Sequence, residues 1–280
     1  MKSLRTFALA IFAACTFSAC LQEEKVINLN TDGSGTIEET MVMNKEIIAQ
    51  MKQMAEGFGA LAQGKGKAGA AAAPFQVMDE AKLRDAAAGM GEGVTFVSAK
   101  PVSTATGEGF SAVYAFTDIN KLKVDQNPGE NLGGANNPAV KLGGKAKKEP
   151  VSFEFTKGAP ATLTVKLPQP KERDLSKERA QAPEQGQDMA MMMMQQMFKD
   201  MKVALAIEVA GRIVQTNAEY KDASRVTLLE LDFNKVLANP EKFKALSQAQ
   251  PKTIAEAKTL MKGVDGIKAE TQPSVTIKFQ

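Results

Sequence analysis

The feature that most constrains this chain of 280 residues is a recurrence of short apolar strands in pairs, each pair closed by turn residues. Val26-Ile27-Asn28-Leu29 and Thr36 to Met43 flank Asp32-Gly33-Ser34-Gly35, whose glycines supply the positive φ of a tight hairpin turn. The regular series of oxygen ligands that a calcium loop needs is missing there. Val94–Val102 and Phe110–Phe116 read as the next pair. Val151–Phe155 and Thr162–Leu167 follow, joined through Lys157-Gly158-Ala159-Pro160. Farther on, Val203, Leu205, Ile207 and Val209 alternate onto one face of a strand over Val203–Ala210. Gly211 suggests a bulge, with pairing resumed over Arg212–Thr216 and Arg225–Leu231 returning antiparallel. Ile267–Glu270 and Val275–Phe279 close the chain as a last expected hairpin. Local pairing of this kind predicts a mainly antiparallel sheet.

Helical signals lie between the strands. Asn44 is placed as an N-cap, and Met43 and Ile48 are spaced for a hydrophobic staple across it. Ile47, Met51, Met54, Phe58 and Leu61 continue one apolar face. A second helix capped at Asp79 turns Leu83, Ala86, Ala87 and Met90 inward and stops at Gly89, Gly91 and Gly93. A third spans Gln187 to Lys202, and the capping box Thr253-Ile-Ala-Glu256 opens a fourth that ends at Gly263. Low-complexity stretches near 62–76, 126–150 and 168–187 read as flexible inserts. The fold class expected is therefore α+β, a mainly antiparallel sheet with covering helices, interrupted by these inserts.

The N-terminus carries an address. Lys2 and Arg5 precede an apolar run from Phe7 to Phe17, far short of the ~20 residues a membrane-spanning helix requires. It fits the apolar region of a cleaved secretory signal. Phe17-Ser18-Ala19-Cys20 resembles the bacterial lipobox, with Phe17 where that pattern prefers Leu. The resemblance implies that residues 1–19 are removed and that Cys20 is acylated, leaving 20–280 as one extracytoplasmic domain. Cleavage at Cys15 would halve the apolar run, and plain secretory cleavage after Ala19 puts Phe17 where a small residue is expected. Leu21, next to the cysteine, is not the Asp of an inner-membrane retention signal, which favours the outer membrane in a Gram-negative source. Each buried CH₂ adds ~0.8 kcal/mol to membrane affinity, so several acyl chains form an essentially permanent anchor.

Composition narrows the chemistry. Loss of the signal's two basic residues takes the formal charge from +3 to +1, and no basic stripe for nucleic acid exists. Lys145-Ala-Lys147-Lys148 reads as a solvated loop tip. There is no His, no Trp, and both Cys lie within the first twenty residues. A disulfide, a thiolate nucleophile, a Cys/His zinc site and a Ser-His-Asp triad are thereby excluded from the mature chain. No cofactor, metal site or catalytic residue is expected, and the chain reads as non-enzymatic.

Three local features invite a function. Seven methionines fall between Met189 and Met201. On a helix Met193, Met197 and Met201 share a stripe, whereas Met191 and Met192 point away, making these two candidate contacts for an apolar ligand, lipid or partner. Core packing is the plainer reading of the rest, and copper binding lacks the His or Cys that accompanies most soft-metal sites. Glu230 and Asp232, two apart on a strand, share a face, as a carboxylate hydrolase would need; a solvated strand face is the plainer explanation. Asp118-Ile-Asn120-Lys121 and Asp232-Phe-Asn234-Lys235 echo each other, each Asp placed to cap a short helix.

Ile207-Glu-Val209-Ala-Gly211-Arg-Ile213-Val-Gln-Thr216-Asn217-Ala, followed by Arg225-Val226-Thr227-Leu228, resembles bacterial lipoproteins of the LppM-like kind. Ala210 stands where that pattern often has Pro. The resemblance implies an α+β domain exposed at the envelope with an apolar ligand groove, and carries no catalytic residue. The expectation is an envelope lipoprotein that meets the membrane through its anchor and binds a protein or apolar ligand. A purely structural tether is the alternative, and a carboxylate-based hydrolase a more distant one.

Overall fold

A computed structural model describes residues 21–53, 76–124, 150–169, 199–249, 251 and 253–280. The chain forms a mixed fold dominated by antiparallel sheet, with few helices. Strands β1 (Leu21–Leu29), β2 (Gly35–Asn44), β3 (Thr95–Ser103), β4 (Gly107–Phe116), β7 (Lys202–Val209), β9 (Arg225–Asp232) and β10 (Ile267–Ala269) make a seven-stranded sheet in the order β10-β9-β7-β1-β2-β4-β3. A second sheet has the order β5-β6-β11-β8, from β5 (Ser152–Thr156), β6 (Ala161–Lys166), β8 (Ile213–Thr216) and β11 (Ser274–Phe279). Both sheets feed one continuous apolar core, in which Ile27, Ile37, Ile207, Leu163, Ile277 and Phe279 are fully enclosed.

The first hairpin forms as its turn chemistry dictates. Asp32 Oδ1 accepts from the Ser34 amide at 2.9 Å and the Ser34 hydroxyl at 2.6 Å, and Asn30 N donates to Ser34 O. Its first strand starts at Leu21, five residues before the apolar cluster at Val26. The cause is an unbroken period of two: Leu21, Glu23, Lys25, Ile27 and Leu29 all face one side, with two charges in apolar slots. The neighbour of β1 on its other side is β7, running parallel in the register Gln22↔Lys202 to Leu29↔Val209. Strand β7 is therefore central. Its alternate residues Ala204 and Ala206 are as buried as Val203, Leu205, Ile207 and Val209, so the single apolar face expected is in fact two enclosed faces.

Two expected pairings are replaced. After β7 the chain does not bulge and rejoin the same sheet. At Gly211 (φ +94°) it turns out of the large sheet, and β8 pairs with β11 in the small one. Only glycine fits, because a Cβ there would lie 2.4 Å from Gln280 O. Likewise β10 and β11 are not a hairpin: β10 pairs with β9, and β11 with β6 and β8. The switch falls at Glu270, whose buried carboxylate accepts from the amides of Glu219 (2.7 Å) and Tyr220 (2.9 Å) and from Gln272 Nε2 (2.6 Å). That carboxylate takes up the backbone donors of a neighbouring loop where the sheet ladder ends.

The helical caps at Asn44, Asp79, Asp118, Asp232 and Thr253 are as expected, whereas the helix Pro240–Gln248 and its Asn239 cap are not. A helix, α1, covers residues 45–53; Asn44 Oδ1 accepts from Glu46 N at 2.8 Å, and Met43 and Ile48 are both buried. Asp79 caps α2 (Glu80–Gly89), which buries Leu83 and Ala87 and half-buries Met90, while Ala86 faces solvent instead of inward. Asp118 caps a 3₁₀ turn (Ile119–Lys121), Asp232 caps α3 (Phe233–Leu237), and Asn239 caps α4 (Pro240–Gln248). Thr253 caps α5 (Ile254–Met261). The helix expected to end at Lys202 does not reach it: 199–200 form a turn, Asp200 has φ 63°, and β7 begins at Lys202. The rest of that segment, Met54, Phe58 and Leu61, and the inserts apart from Gln76, Pro150, Pro168 and Gln169 lie outside the described residues.

Candidate functional site

In a sheet, directly opposed residues share a face. Register therefore gathers Leu21, Glu23, Lys25 and Ile27 of β1 with Ile37, Glu39, Met41 and Met43 of β2. Phe110, Ala112 and Tyr114 of β4 join on one flank, Val203 and Leu205 of β7 on the other. This inner face is apolar except at its centre. There Lys25 lies opposite Glu39, and Glu23 stands one alternate position along β1.

The polar group is buried and incompletely matched. Lys25 Nζ lies 3.8 Å from Glu23 Oε1 and 3.5 Å from Glu39 Oε1, so two carboxyls converge on one ammonium. Glu23 is 2% exposed, and neither of its oxygens accepts a hydrogen bond. The Tyr114 hydroxyl is equally enclosed and equally unpartnered. Phe96 meets the Tyr114 ring edge-on at 5.8 Å, and the Arg84 guanidinium of α2 covers Phe96 at 4.7 Å. Ala112, directly opposite Glu39 on β4, gives the carboxyl a small neighbour.

Desolvation decides the protonation state. Burial pushes the Glu23 carboxyl from 4.5 up to about 7; Lys25 pulls the other way, and the charge and hydrogen bonding of Glu39 push with burial. Burial, assisted by the negative charge of Glu39, also raises Tyr114 well above its ordinary value. Below neutrality Glu23 is therefore mainly protonated, and near pH 7 its two forms are comparably populated; the protonated form can donate as well as accept. A buried polar atom without a partner costs ~1–3 kcal/mol. Glu270 shows what a buried carboxylate with a structural role looks like here: both oxygens accept hydrogen bonds. Glu23 does not share that arrangement.

The residues singled out from sequence are dispersed. Cys20, Met191 and Met192 lie outside the described residues, as does the Lys145–Lys148 run. Glu230 and Asp232 sit near the end of β9 and are matched by cations. Lys268 Nζ is 3.2 Å from Glu230, and Lys235 Nζ is 3.4 Å from Asp232, whose Oδ1 also accepts from Lys235 N. Their charges are taken up by ion pairing and capping. In the echoed Asp-x-Asn-Lys segments the asparagines act as staples. Asn120 Oδ1 accepts from Phe155 N at 2.7 Å, joining the 3₁₀ turn to the small sheet. Asn234 Oδ1 accepts from Asp200 N at 3.0 Å, fixing the approach to β7. Among the described residues no group of three or more Asp, Glu, His or Cys is placed to hold a metal.

Sequence reasoning missed Glu23, Lys25 and Glu39. The available signal was the two-residue alternation through Leu21 and Ile27, which puts Glu23 and Lys25 on the apolar side whatever their charge.

No protein-family model matches the chain, and no curated protein matches it. A weak structural neighbour is the folded domain of Mycobacterium tuberculosis LppM, solved by NMR. It is 12% identical with a TM-score of 0.29, over 77% of this chain and 84% of that one.

Proposed function

We propose that this chain is a bacterial envelope lipoprotein, held by acyl chains on Cys20, whose β-rich domain binds an apolar ligand or protein partner without catalysing a reaction. The observation that carries the binding role is that the Glu23 carboxyl accepts no hydrogen bond and the Tyr114 hydroxyl has no partner, both on one apolar face. A tether gains nothing from leaving such groups unmatched at ~1–3 kcal/mol each, whereas a binding domain recovers that cost when a ligand supplies the missing partner. The anchor rests on Phe17-Ser18-Ala19-Cys20 and the short apolar run before it. Outer-membrane residence in a Gram-negative source belongs to the same proposal, although Leu21 also packs half-buried against the core.

Two measurements test it. Palmitate labelling of the wild type against Cys20→Ala checks the anchor; equal labelling sinks it. Native mass spectrometry of protein extracted from the envelope checks the binding role. The expected result is a bound mass on the wild type that Glu23→Leu loses. A wild-type chain that flies alone favours the tether instead.

A further inference from the structure

The short distance between the anchor and the fold has a mechanical consequence. Strand β1 begins at Leu21, the residue after Cys20, and is the fourth of seven strands in the large sheet. Successive Cα atoms are ~3.8 Å apart, so an acylated Cys20 leaves no slack between lipid and sheet. Strand β7 is parallel to β1, with Lys202 opposite Gln22, so both strands enter the sheet at the same end. Met201, which leads into β7, therefore lies at the same end of the sheet as Leu21.

That end of the sheet is braced. Lys45 N donates to Thr106 O at 3.1 Å, and Lys45 Nζ reaches Thr104 O at 3.2 Å and Ala105 O at 3.4 Å, fixing the β3–β4 turn to the exit of β2. On the other flank Phe233 N donates to Met201 O, and the side chains of Asp200 and Asn234 interlock. Its described charges nearly balance: Lys45, Lys52, Lys199 and Lys202 against Glu46, Glu108 and Asp200. Electrostatic attraction to anionic lipid does not orient it. The missing linker does.

We infer that this end of the large sheet, from the β3–β4 turn past α1 to Lys199–Lys202, lies against the bilayer surface, with the β1–β2 turn pointing away. The inference rests on the anchor at Cys20. At ~3.3 Å per residue, the β1–β2 turn stands roughly 30 Å farther from the lipid.

The full-length lipoprotein tests this directly, because its only mature cysteine is the acylated one and any added cysteine can be labelled alone. Fluorophores on Glu46→Cys and Ala105→Cys, both exposed near the anchor, are compared with one on the exposed Thr31→Cys at the far turn. The protein is reconstituted into phosphatidylethanolamine–phosphatidylglycerol vesicles carrying a headgroup quencher. The expected result is several-fold stronger quenching at 46 and 105 than at 31. A Gly/Ser insertion of about ten residues between Cys20 and Leu21, spanning roughly 18 Å, should erase the difference. Equal quenching at both ends of a chain whose acylation is confirmed by mass overturns this inference alone, as does a difference that survives the insertion. A chain without acyl mass on Cys20 overturns the anchor itself.

Discussion

Replacing Glu23 by Gln keeps the shape of the side chain and removes its titration, which isolates one term in the pH dependence of stability. The ordinary carboxylic value is 4.5, and burial raises Glu23 to about 7. The folded chain therefore keeps a proton that the unfolded chain releases as pH rises from about 4.5 to about 7. Since the folded state binds more protons in that window, stability falls with rising pH across it and is flat above. At ~1.4 kcal/mol per tenfold change in acidity, the whole fall is about 3 kcal/mol. Other carboxylates move the opposite way: hydrogen bonds from Ser34 hold Asp32 below its usual value, and those from Lys82 do the same for Asp79. Their contributions are common to wild type and variant and cancel in the comparison. Urea unfolding of the unacylated mature chain at several pH values between about 4.5 and 7.5 provides the assay. Far-UV circular dichroism is the suitable probe, because the chain has no Trp. The difference in stability between Glu23→Gln and wild type should shift in favour of Gln by about 3 kcal/mol between the two ends of that range. Parallel curves would refute the assignment of a raised pKa to Glu23, and with it the desolvated setting of the carboxyl.

Lys25→Met leaves Glu23 and Glu39 converging on no cation; removing one partner of a buried ion pair costs about 3 kcal/mol or more. The same unfolding series should also move the Glu23 midpoint above its wild-type position, because the one charge that lowers it is gone. Gly109→Ala places a Cβ 1.7 Å from Met41 O, between β2 and β4; the variant should lose the protease resistance of the large sheet under conditions where the wild type keeps it. Asn120→Ala strips the Phe155 amide of its acceptor and should lower stability by on the order of 1 kcal/mol. Amide exchange at Phe155 should quicken in that variant, while the Asp118 cap on Asn120 N is retained.

Features encoded within a few residues were legible in the sequence; those decided by distant pairing were not. The Asp32–Gly35 turn, the Asn44, Asp79, Asp118, Asp232 and Thr253 caps and the first three hairpins need only neighbouring residues, and each forms where its chemistry puts it. The C-terminal third misled because adjacency in sequence favours hairpins, and two near-hairpins there were split between sheets. Gly211 marks a sheet switch and not a bulge; both require glycine for the same conformational reason, and what distinguishes them is Gln280, nearly seventy positions away. Glu270 carries an equally long-range task, satisfying amides fifty residues back.

The inner-face charges were hidden for a different reason. Charged residues are almost never fully buried without partners, so residue type alone directs Glu23 and Glu24 to solvent. Strand alternation overrides that prior: once Ile27 and Leu29 face the core, Glu23 and Lys25 must face it too, because a slip of one residue would expose every apolar side chain on β1. Glu24, by contrast, points outward and reaches Arg225 at 2.7 Å, an ordinary half-exposed pair. Two adjacent glutamates thus have opposite fates. The one the fold buries accepts no hydrogen bond, which is why the search for a bound molecule should begin at Glu23.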